Sequence, residues 1–362
     1  MPIYLKSIGF SVLLIGVLEG FAEAIAGLSK GYFGKLSDER GKRAPFIQFG
    51  YLLSAISKPL MAILIFPLWI FFSRTLDRLG KGIRTSARDA MLSDEATPQT
   101  KGKVFGFHRS TDTLGAVLGP LLALLYLYFF PGNYKTLFFI AFAPGMLAFS
   151  ASLFLKDKKR EIKTANKRVS FFSFIKYWKD SNPEYRRLVK GLLLFTLFNS
   201  SDVFLLLKMK ETGVNDTTII GVYIFYNLIY ALFAFPAGIL ADKIGLKKVF
   251  LFGMMAFAIV YFGMGLNNNP ILYAVLFFIY GIYAASTEGI TKAWISNISD
   301  PKDTATAIGT FTAFQSICSL AASSIAGFLW FAFNPSVTFI LSGSITLIVI
   351  IYISRIKSAK IK

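Results

Sequence analysis

Long apolar stretches recur along the whole chain, separated by polar connections. Each stretch is close to 20 residues or longer, enough for a helix to cross a hydrocarbon core of about 30 Å. We predict eleven membrane-spanning helices, at residues 10–36, 46–66, 67–92, 103–130, 136–155, 187–210, 217–241, 247–266, 270–296, 304–333 and 335–354. The pattern therefore predicts an all-α, polytopic membrane protein.

The composition agrees with this pattern. Of the 362 residues, 54% are hydrophobic and only 16% are charged, against about 25% in a typical soluble domain. The formal net charge is nevertheless +19. In a membrane protein, cytoplasmic loops explain such an excess of Lys and Arg more simply than binding to nucleic acid does, so no nucleic-acid partner is expected.

The placement of the basic residues predicts the orientation. Alternate connections are basic, at residues 35–43, 156–187, 242–248 and the tail at 355–362. The connections between them are short and carry few basic residues. Because basic connections stay in the cytoplasm, the C-terminus is expected there, and eleven crossings leave Met1 outside. We expect the protein to lie in the lipid bilayer of the cell membrane.

The residue types needed for common catalytic and metal sites are scarce. Cys318 is the only cysteine and His108 the only histidine, so an internal disulfide is impossible and a metal site built from Cys and His is not expected. No Gly-rich phosphate loop and no nucleophile–His–acid arrangement is present in the sequence. We therefore expect no enzyme, no metal and no cofactor. The start of the chain lacks a basic n-region and a cleavage site, so no cleaved signal peptide is expected.

The sequence repeats itself at an offset of about 204 residues. GKLSDERGKR begins at Gly34 and GILADKIGLKK begins at Gly238. The repeat predicts two helical bundles, at residues 1–155 and 187–362, joined by a basic cytoplasmic linker at 156–186. Parallel repeats of this kind occur in transporters, where the substrate site lies between the halves near the midplane.

The first span of the second copy lacks a full counterpart in the first. Only MPIYLK at the start of the chain corresponds to its end. The sequence therefore predicts two halves of six membrane helices each, of which the first helix is missing. We favour a start codon placed too late, and a natural eleven-helix variant is the alternative.

Both copies resemble the loop motif of the major facilitator superfamily, which lies between its second and third helices. The first copy comprises Gly34, Asp38, Gly41, Lys42 and Arg43. The second copy comprises Gly238, Asp242, Gly245, Lys247 and Lys248. The resemblance implies a fold of two six-helix bundles, with eleven of the twelve helices in this chain, and transport by alternating access. The motif implies a gate, in which a carboxylate at a helix end pairs with Arg or Lys and with helix dipoles. Tight turns with positive-inside charges would explain Gly and Lys but not the placed Asp.

Two further matches concern single helices. The spacing of the family's antiporter motif is matched by Gly106, Gly115, Gly119 and Pro120, although its trailing glycine pair is replaced by Ala123 and Leu124. This match favours export over uptake, and ordinary packing of membrane helices could also produce it. Arg74 and Gly80 resemble the Arg-containing motif of the family's fourth helix, with Asp77, Arg78 and Lys81 as departures.

The stretch 74–91 carries five basic and two acidic residues inside a predicted span. On a helix its charged residues fall within an arc of about 140°, and they are Arg74, Asp77, Arg78, Lys81, Arg84, Arg88 and Asp89. A helix lying on the membrane surface is the alternative, for which VSFFSFIKYW in the linker is a better candidate. We expect Arg74 to lie deepest and to face the cavity, and Arg84, Arg88 and Asp89 to anchor the helix or serve the gate.

Other spans supply further charged residues. The candidates for proton coupling or for the substrate cavity are Glu19, Glu23, Arg74, Asp77, Asp112, Asp202 and Glu288. Structural ion pairing is the alternative for each of them. Among these, Glu19, Glu23, Asp112 and Asp202 are the expected proton carriers, because a membrane carboxylate that gains and loses a proton can couple transport to a gradient. Arg74 is the neighbour expected to control that proton.

These features allow four functional hypotheses. The sequence favours a proton-coupled exporter of a small organic solute, acting as a monomer. Excess Arg and Lys in the first half suggests an anionic or zwitterionic solute. An uptake symporter or facilitator for an organic anion is the second reading, and a receptor or scaffold that has kept the fold without transport is the third. A membrane enzyme has little support.

Overall fold

The computed structural model describes residue 5 and residues 9–64, 66–158 and 170–356. In this part of the chain the regular structure is entirely helical. The predictions for most of MPIYLK at the start of the chain, for the middle of the linker at 159–169 and for the end of the basic tail at 357–362 fall on residues outside it.

The first half of the described chain contains five long helices. They are α1 (Val12–Arg40), α2 (Ala44–Ile63), α3 (Pro67–Asp94), α4 (Lys101–Phe129) and α5 (Tyr134–Ser152). In the linker, a 3₁₀ turn at Ser173–Lys176 leads into the short helix α6 (Tyr177–Asp180).

The second half continues with helices from residue 183 onward. They are α7 (Pro183–Phe198), α8 (Asp202–Glu211), α9 (Asp216–Ile244), α10 (Leu246–Leu266), α11 (Pro270–Ile298), α12 (Thr304–Ala332) and α13 (Pro335–Ser354). A 3₁₀ turn at Pro301–Asp303 precedes α12.

Nine segments of the described chain are helical, long and apolar enough to cross a membrane. They coincide with nine of the eleven predicted spans, and their bounds differ from the predicted ones by a few residues. The other two predicted spans form α1 and α3, which are 29 and 28 residues long but carry more charge. Their length is that of membrane helices, and the partners of their charges are described below.

One predicted span is interrupted. Residues 187–210 form α7 and α8, separated at Asn199, Ser200 and Ser201. Asn199 has extended backbone angles, and the Ser201 hydroxyl accepts a hydrogen bond from the Val203 amide at the start of α8. Asn and Ser side chains compete for backbone hydrogen bonds, which favours a helix end and a new cap at this point.

The contacts divide the chain into two compact units. Among the described residues, unit 1 comprises those up to 91 and those within 120–180 and 301–316, and unit 2 comprises those within 92–119, 181–300 and 317–362. In unit 1, the apolar face of α3 packs through Ile83 and Ala87 on Phe46 and Ile47 of α2. In unit 2, α11 packs closely with α9 and α10, and α10 with α13.

Candidate functional site

The first loop motif forms a helix cap within unit 1. The Asp38 carboxylate lies near the end of α1 and accepts hydrogen bonds from the backbone amide and the hydroxyl of Thr306, at 2.6 and 2.7 Å. The amide of Ala305 donates to the same carboxylate at 3.4 Å. These groups belong to the first turn of α12, whose amides have no partner within the helix and whose dipole favours an anion. Asp38 therefore ties α1 to the start of α12.

Other residues of this motif position the carboxylate. Arg43 pairs with Asp38 at 3.0 Å, and the two side chains are only 2% and 1% exposed. Gly41 ends α1 with a left-handed φ of 63°, which turns the chain back so that Arg43 can reach Asp38. Gly34 contacts the Ala305 carbonyl where a Cβ would not fit. Lys42 is exposed and has no ion-pair partner among the residues that the structure describes.

The second loop motif forms the same kind of cap within unit 2. Asp242, near the end of α9, accepts from the amides of Gly102 and Lys103 at 2.8 and 2.7 Å. These amides begin α4, and Gly238 contacts the Gly102 carbonyl too closely for any side chain. The two copies of the motif thus hold two different helix N-termini by the same chemistry.

The remaining residues of the second copy act at helix ends. Gly245 links α9 to α10 with a φ of 105°. Lys247 donates to the carbonyls of Ser354 and Ile356, both at 2.6 Å, at the C-terminal end of α13. The negative end of the helix dipole stabilises a cation there. Lys248 is exposed and has no ion-pair partner in the described part of the chain.

The antiporter-type motif divides into two kinds of position. Gly106 lies against the Ala234 carbonyl and the Cα of Gly238, where a Cβ would meet backbone atoms at 2.6 and 3.1 Å. Among the described residues, Gly115 and Gly119 have no neighbour beyond their own helix backbone within 4 Å of a Cβ position. Pro120 lies inside α4. Close backbone approach, the expected role of these small residues, therefore occurs at Gly106 and not at Gly115 or Gly119.

Three helices of unit 1 contribute to one group of ion pairs, here called the α3 ion-pair cluster. It comprises Glu19 and Glu23 of α1, Lys58 of α2, and Arg74, Asp77 and Arg78 of α3. The Arg74 guanidinium binds Glu19 through two nitrogens, at 2.6 and 3.0 Å, and Asp77 at 3.3 Å. Lys58 binds the other oxygen of Asp77 at 2.7 Å.

The second arginine of this cluster completes the balance of charge. Arg78 lies 3.7 Å from Glu19 and 3.4 Å from Glu23. Three carboxylates thus face three cations. The pairing explains how α1 and α3 can lie in a membrane protein, because charges in a membrane helix are tolerated when they are paired.

Further along α3, the basic residues also have partners. Arg84 donates to the Ser54 hydroxyl at 2.7 Å and its guanidinium lies 4.5 Å from the centre of the Tyr51 ring. Arg88 contacts Asp89, which is fully buried, at 3.1 Å. The charged arc predicted for residues 74–91 is therefore largely matched by countercharges and by an aromatic face within unit 1.

Unit 2 contains a second group of charges, around Arg109 of α4. Its guanidinium binds Glu288 of α11 at 2.5 Å and Asp112 at 3.1 Å, and it also donates to the Tyr230 hydroxyl. The structure thus brings together two of the predicted site residues, Asp112 and Glu288, through a residue that the sequence analysis did not select.

Asp202 differs from the other predicted carboxylates. It is the first residue of α8, directly after the break in the predicted span, and accepts a hydrogen bond from the Tyr280 hydroxyl at 2.7 Å. Its electrostatic neighbours include Glu288, which has the same charge. Among the described residues, Asp202 has no cationic partner.

Tyrosines surround this carboxylate, and the sequence analysis missed them. The buried members of this group are Tyr226, Tyr261, Tyr280 and Tyr283. Asn199 donates to the Tyr283 hydroxyl at 2.9 Å, and Ser200 and Tyr261 share a hydrogen bond of 3.1 Å, so the helix break and the tyrosines form one polar network. The Asn199 side-chain oxygen has no hydrogen-bond partner in the part of the chain that the structure describes. Tyrosines spaced three or four residues apart on two apolar spans are the signal that could have revealed this group.

The described residues contain no group of three or more His, Cys, Asp or Glu side chains placed to hold a metal ion. The site chemistry thus consists of carboxylates, guanidinium groups, tyrosine hydroxyls and helix termini.

Comparison with known proteins identifies relatives over nearly the whole chain. The model of the Major Facilitator Superfamily matches residues 1–208 and again 191–360. An uncharacterized MFS-type transporter of Methanocaldococcus jannaschii is 36% identical over 355 residues, which are 96% of this chain and 87% of that protein. A multi-drug resistance efflux pump PmrA homolog of Lactococcus lactis is 23% identical over 345 residues, 91% of this chain and 83% of the relative.

The fold is also found in a solved transporter. A structure of FucP, the fucose:proton symporter of E. coli, in the outward conformation has a TM-score of 0.81 and 10% identity. The match covers 98% of this chain and 93% of that one. At this identity, the likeness shows the fold alone.

Proposed function

The chain belongs to the Major Facilitator Superfamily, and from this premise we propose that it exports a small organic solute in exchange for protons. It is a multi-pass membrane transporter of all-α fold. We propose that the protein acts as a monomer. We also propose the direction of transport, the coupling ion, the solute class and the residues involved. The cell membrane, with the basic connections and the C-terminus in the cytoplasm, is the proposed location.

The observation that carries the proposal is the position of Asp202. A carboxylate without a cationic partner in a membrane protein is unfavourable by several kcal/mol, and it is relieved by taking up a proton or by binding a cation. Asp202 also lies at the interruption between α7 and α8. Interrupted helices are where transporters place substrate and coupling-ion sites, because the freed backbone and side-chain groups can bind them. Asp202 is therefore the proposed proton carrier.

Glu288 is the proposed partner site for the solute or for a second proton. It shares Arg109 with Asp112 and lies near Asp202, so any proton or cation that binds Asp202 alters the electrostatic balance of this group. Loss of the Arg109–Glu288 pair in one state of the cycle would leave Glu288 ready to bind a cation.

The α3 ion-pair cluster has a different proposed role. Glu19, Glu23 and Asp77 are already balanced by Lys58, Arg74 and Arg78, so protonation of one carboxylate would release a cation rather than relieve an unpaired anion. We assign to Arg74 the control of a proton on Glu19 or Asp77, with the pairs exchanging as the transporter changes state.

The two helix caps are the proposed gate elements. Each cap consists of one carboxylate and two or three donors, and each capping contact contributes about 0.3–2 kcal/mol. Such a cap is strong enough to stabilise one conformation of the transporter and weak enough to be broken during a transport cycle. Asp38 and Asp242 would release the starts of α12 and α4 when the transporter changes state.

Export rather than uptake is supported by two observations. The spacing of Gly106, Gly115, Gly119 and Pro120 resembles the antiporter motif, and a relative over 91% of the chain is described as an efflux pump. The basic residues of α3 favour an anionic or zwitterionic solute only if they lack partners in the protein. Arg74 and Arg78 are already paired with carboxylates of the protein. We therefore propose only a small organic solute, and separate cationic from anionic solutes by experiment.

Inside-out vesicles from a host strain that lacks its own exporters test this function. A panel of dyes that includes cationic ethidium and anionic fluorescein is offered outside vesicles with an acidic interior. Export predicts that one class of dye accumulates inside, and that collapse of the pH gradient with nigericin stops it.

Each of the other outcomes contradicts one part of the proposed function. Accumulation only with the opposite gradient would identify a symporter, and accumulation unaffected by nigericin would contradict proton coupling. If no compound of a broad panel moves, although the protein is folded in the vesicles, the non-transporting receptor or scaffold is the better reading.

A further inference from the structure

The end of the linker, residues 170–180, contacts unit 1 on one side and exposes apolar side chains on the other. It comprises the 3₁₀ turn Ser173–Lys176 and helix α6. We call these residues the linker segment. It belongs neither to the helix caps nor to the charged groups described above.

The inner side of the linker segment is fixed to two helices. The ring of Phe174 is 1% exposed and occupies the space left by Gly31 of α1, where a Cβ would meet the ring at 2.7 Å. Its carbonyl accepts a hydrogen bond from the Thr310 hydroxyl of α12 at 3.3 Å. The ring of Trp178 meets that of Phe314, also on α12, edge to face at 6.0 Å. The segment therefore bridges α1 and α12, the same two helices that the Asp38 cap joins.

The outer side of the linker segment is apolar and basic. Phe171, Phe172 and Ile175 are 40%, 58% and 43% exposed. Lys176 and Lys179 are exposed beside them. Aromatic and aliphatic side chains next to lysines are typical of segments that lie at a membrane surface.

The attachment points set the depth of the segment. Gly31 lies nine residues before the end of α1 at Arg40, and Thr310 lies six residues after the start of α12 at Thr304. At 1.5 Å per residue, these distances are about 14 and 9 Å along the helices. Because α12 is long and apolar enough to cross the membrane, a segment attached this close to its end lies near the boundary between headgroups and hydrocarbon.

We propose that the linker segment is an anchor on the membrane surface that binds anionic phospholipids and holds α1 and α12 together. Phe171, Phe172 and Ile175 enter the interface, and Lys176 and Lys179 contact the headgroups. Phe174 transmits the position of the anchor to α1. The charge of the lipids thereby affects how firmly the α1–α12 contact is held.

The single native cysteine makes a direct depth measurement possible. Cys318→Ser removes it, and Phe172→Cys then carries an environment-sensitive fluorophore in nanodiscs that hold one copy of the protein. Asp180→Cys, at the exposed end of α6, is the matched control. The discs contain phosphatidylcholine with or without about one-third phosphatidylglycerol.

The anchor predicts that acrylamide, a neutral quencher in water, quenches the label at position 172 at least about threefold less than the label at position 180. A quencher attached to the lipids near the headgroups should show the opposite order. Equal quenching by acrylamide at both positions would overturn the anchor. Contact with a second copy of the protein cannot produce the protection, since each disc holds one.

A comparison of discs with and without phosphatidylglycerol tests the role of Lys176 and Lys179. Phosphatidylglycerol should increase the protection of position 172, by roughly fivefold per lysine in the ratio of docked to free segment. Lys176→Gln with Lys179→Gln should remove this increase. Protection that is the same with and without phosphatidylglycerol would overturn the binding of anionic lipids.

The link to α1 is tested by Gly31→Val, which forces the Phe174 ring away. It should raise acrylamide quenching at position 172 to the level of position 180. Gly20→Val, on the same helix but with no described neighbour beyond that helix within 4 Å of a Cβ position, should not. Unchanged quenching in Gly31→Val would show that the segment lies on the membrane without being held by α1.

Discussion

At the scale of single residues, the two copies of the loop motif differ in burial. Asp38 and Arg43 are almost completely buried together, whereas Asp242 is partly exposed and has no ion-pair partner among the described residues. The same motif therefore provides a strong cap in unit 1 and a weaker cap in unit 2.

Asp38→Asn should cost far more stability than Asp242→Asn. The first change removes a carboxylate that is buried against Arg43, a loss of about 3–5 kcal/mol, and the second removes only a charged cap, about 1 kcal/mol. Thermal unfolding of the detergent-purified variants measures the difference. Equal shifts in Tm for the two variants would show that the Asp38–Arg43 pair adds nothing to the cap.

The α3 ion-pair cluster allows structural and functional roles to be separated. Arg74→Gln should lower both the Tm and dye transport, because three carboxylates then face only two cations and Glu19 keeps only its longer contact with Arg78, at 3.7 Å. The double variant Glu19→Gln with Arg74→Gln should recover most of the Tm, since no charge is left unpaired. If the cluster takes part in the transport cycle, transport stays low in the double variant. Recovery of transport along with Tm would mean that the pair serves folding alone.

At the scale of elements, the close contact between α4 and α9 depends on glycine. Gly106→Ala places a methyl group against the Ala234 carbonyl and should destabilise by about 1–3 kcal/mol. Gly115→Ala, in the same helix but in open space, should be neutral or stabilising by up to about 1 kcal/mol. The Tm values of the two variants test this. A greater loss from Gly115→Ala would contradict the packing described here.

The helices themselves could be predicted from the sequence because the thickness of a bilayer sets their length. The break at Asn199–Ser201 could not, because three small polar residues hardly lower the average hydropathy of a long apolar stretch. Hydropathy measures whether a segment prefers lipid, while the break depends on local competition for backbone hydrogen bonds.

At the scale of the whole molecule, the sequence identified most charged groups but not their pairing. Arg74 and Glu19 are 55 residues apart in the chain, and only the packing of α1 against α3 shows that they meet. The tyrosines around Asp202 were missed for a related reason. Tyrosine is common in membrane helices, and its significance lies in which carboxylates it faces.

The two charged groups differ in charge balance, and we therefore propose different roles for them. The α3 ion-pair cluster has three acids and three bases, and Asp202 has no cation in the described part of the molecule. A transporter that couples to protons needs a carboxylate that gains stability from a proton, and Asp202 meets this requirement best.

The most direct test compares proton-driven accumulation with passive exchange of the same dye in proteoliposomes. Asp202→Asn should retain exchange within about threefold of the unmodified protein, because exchange returns the carrier without a net proton movement, and should lose accumulation driven by the pH gradient. Glu211→Gln, which alters the carboxyl group at the other end of α8, should retain both. Proton-driven accumulation by Asp202→Asn at the unmodified level would contradict the assignment of Asp202 as the proton carrier.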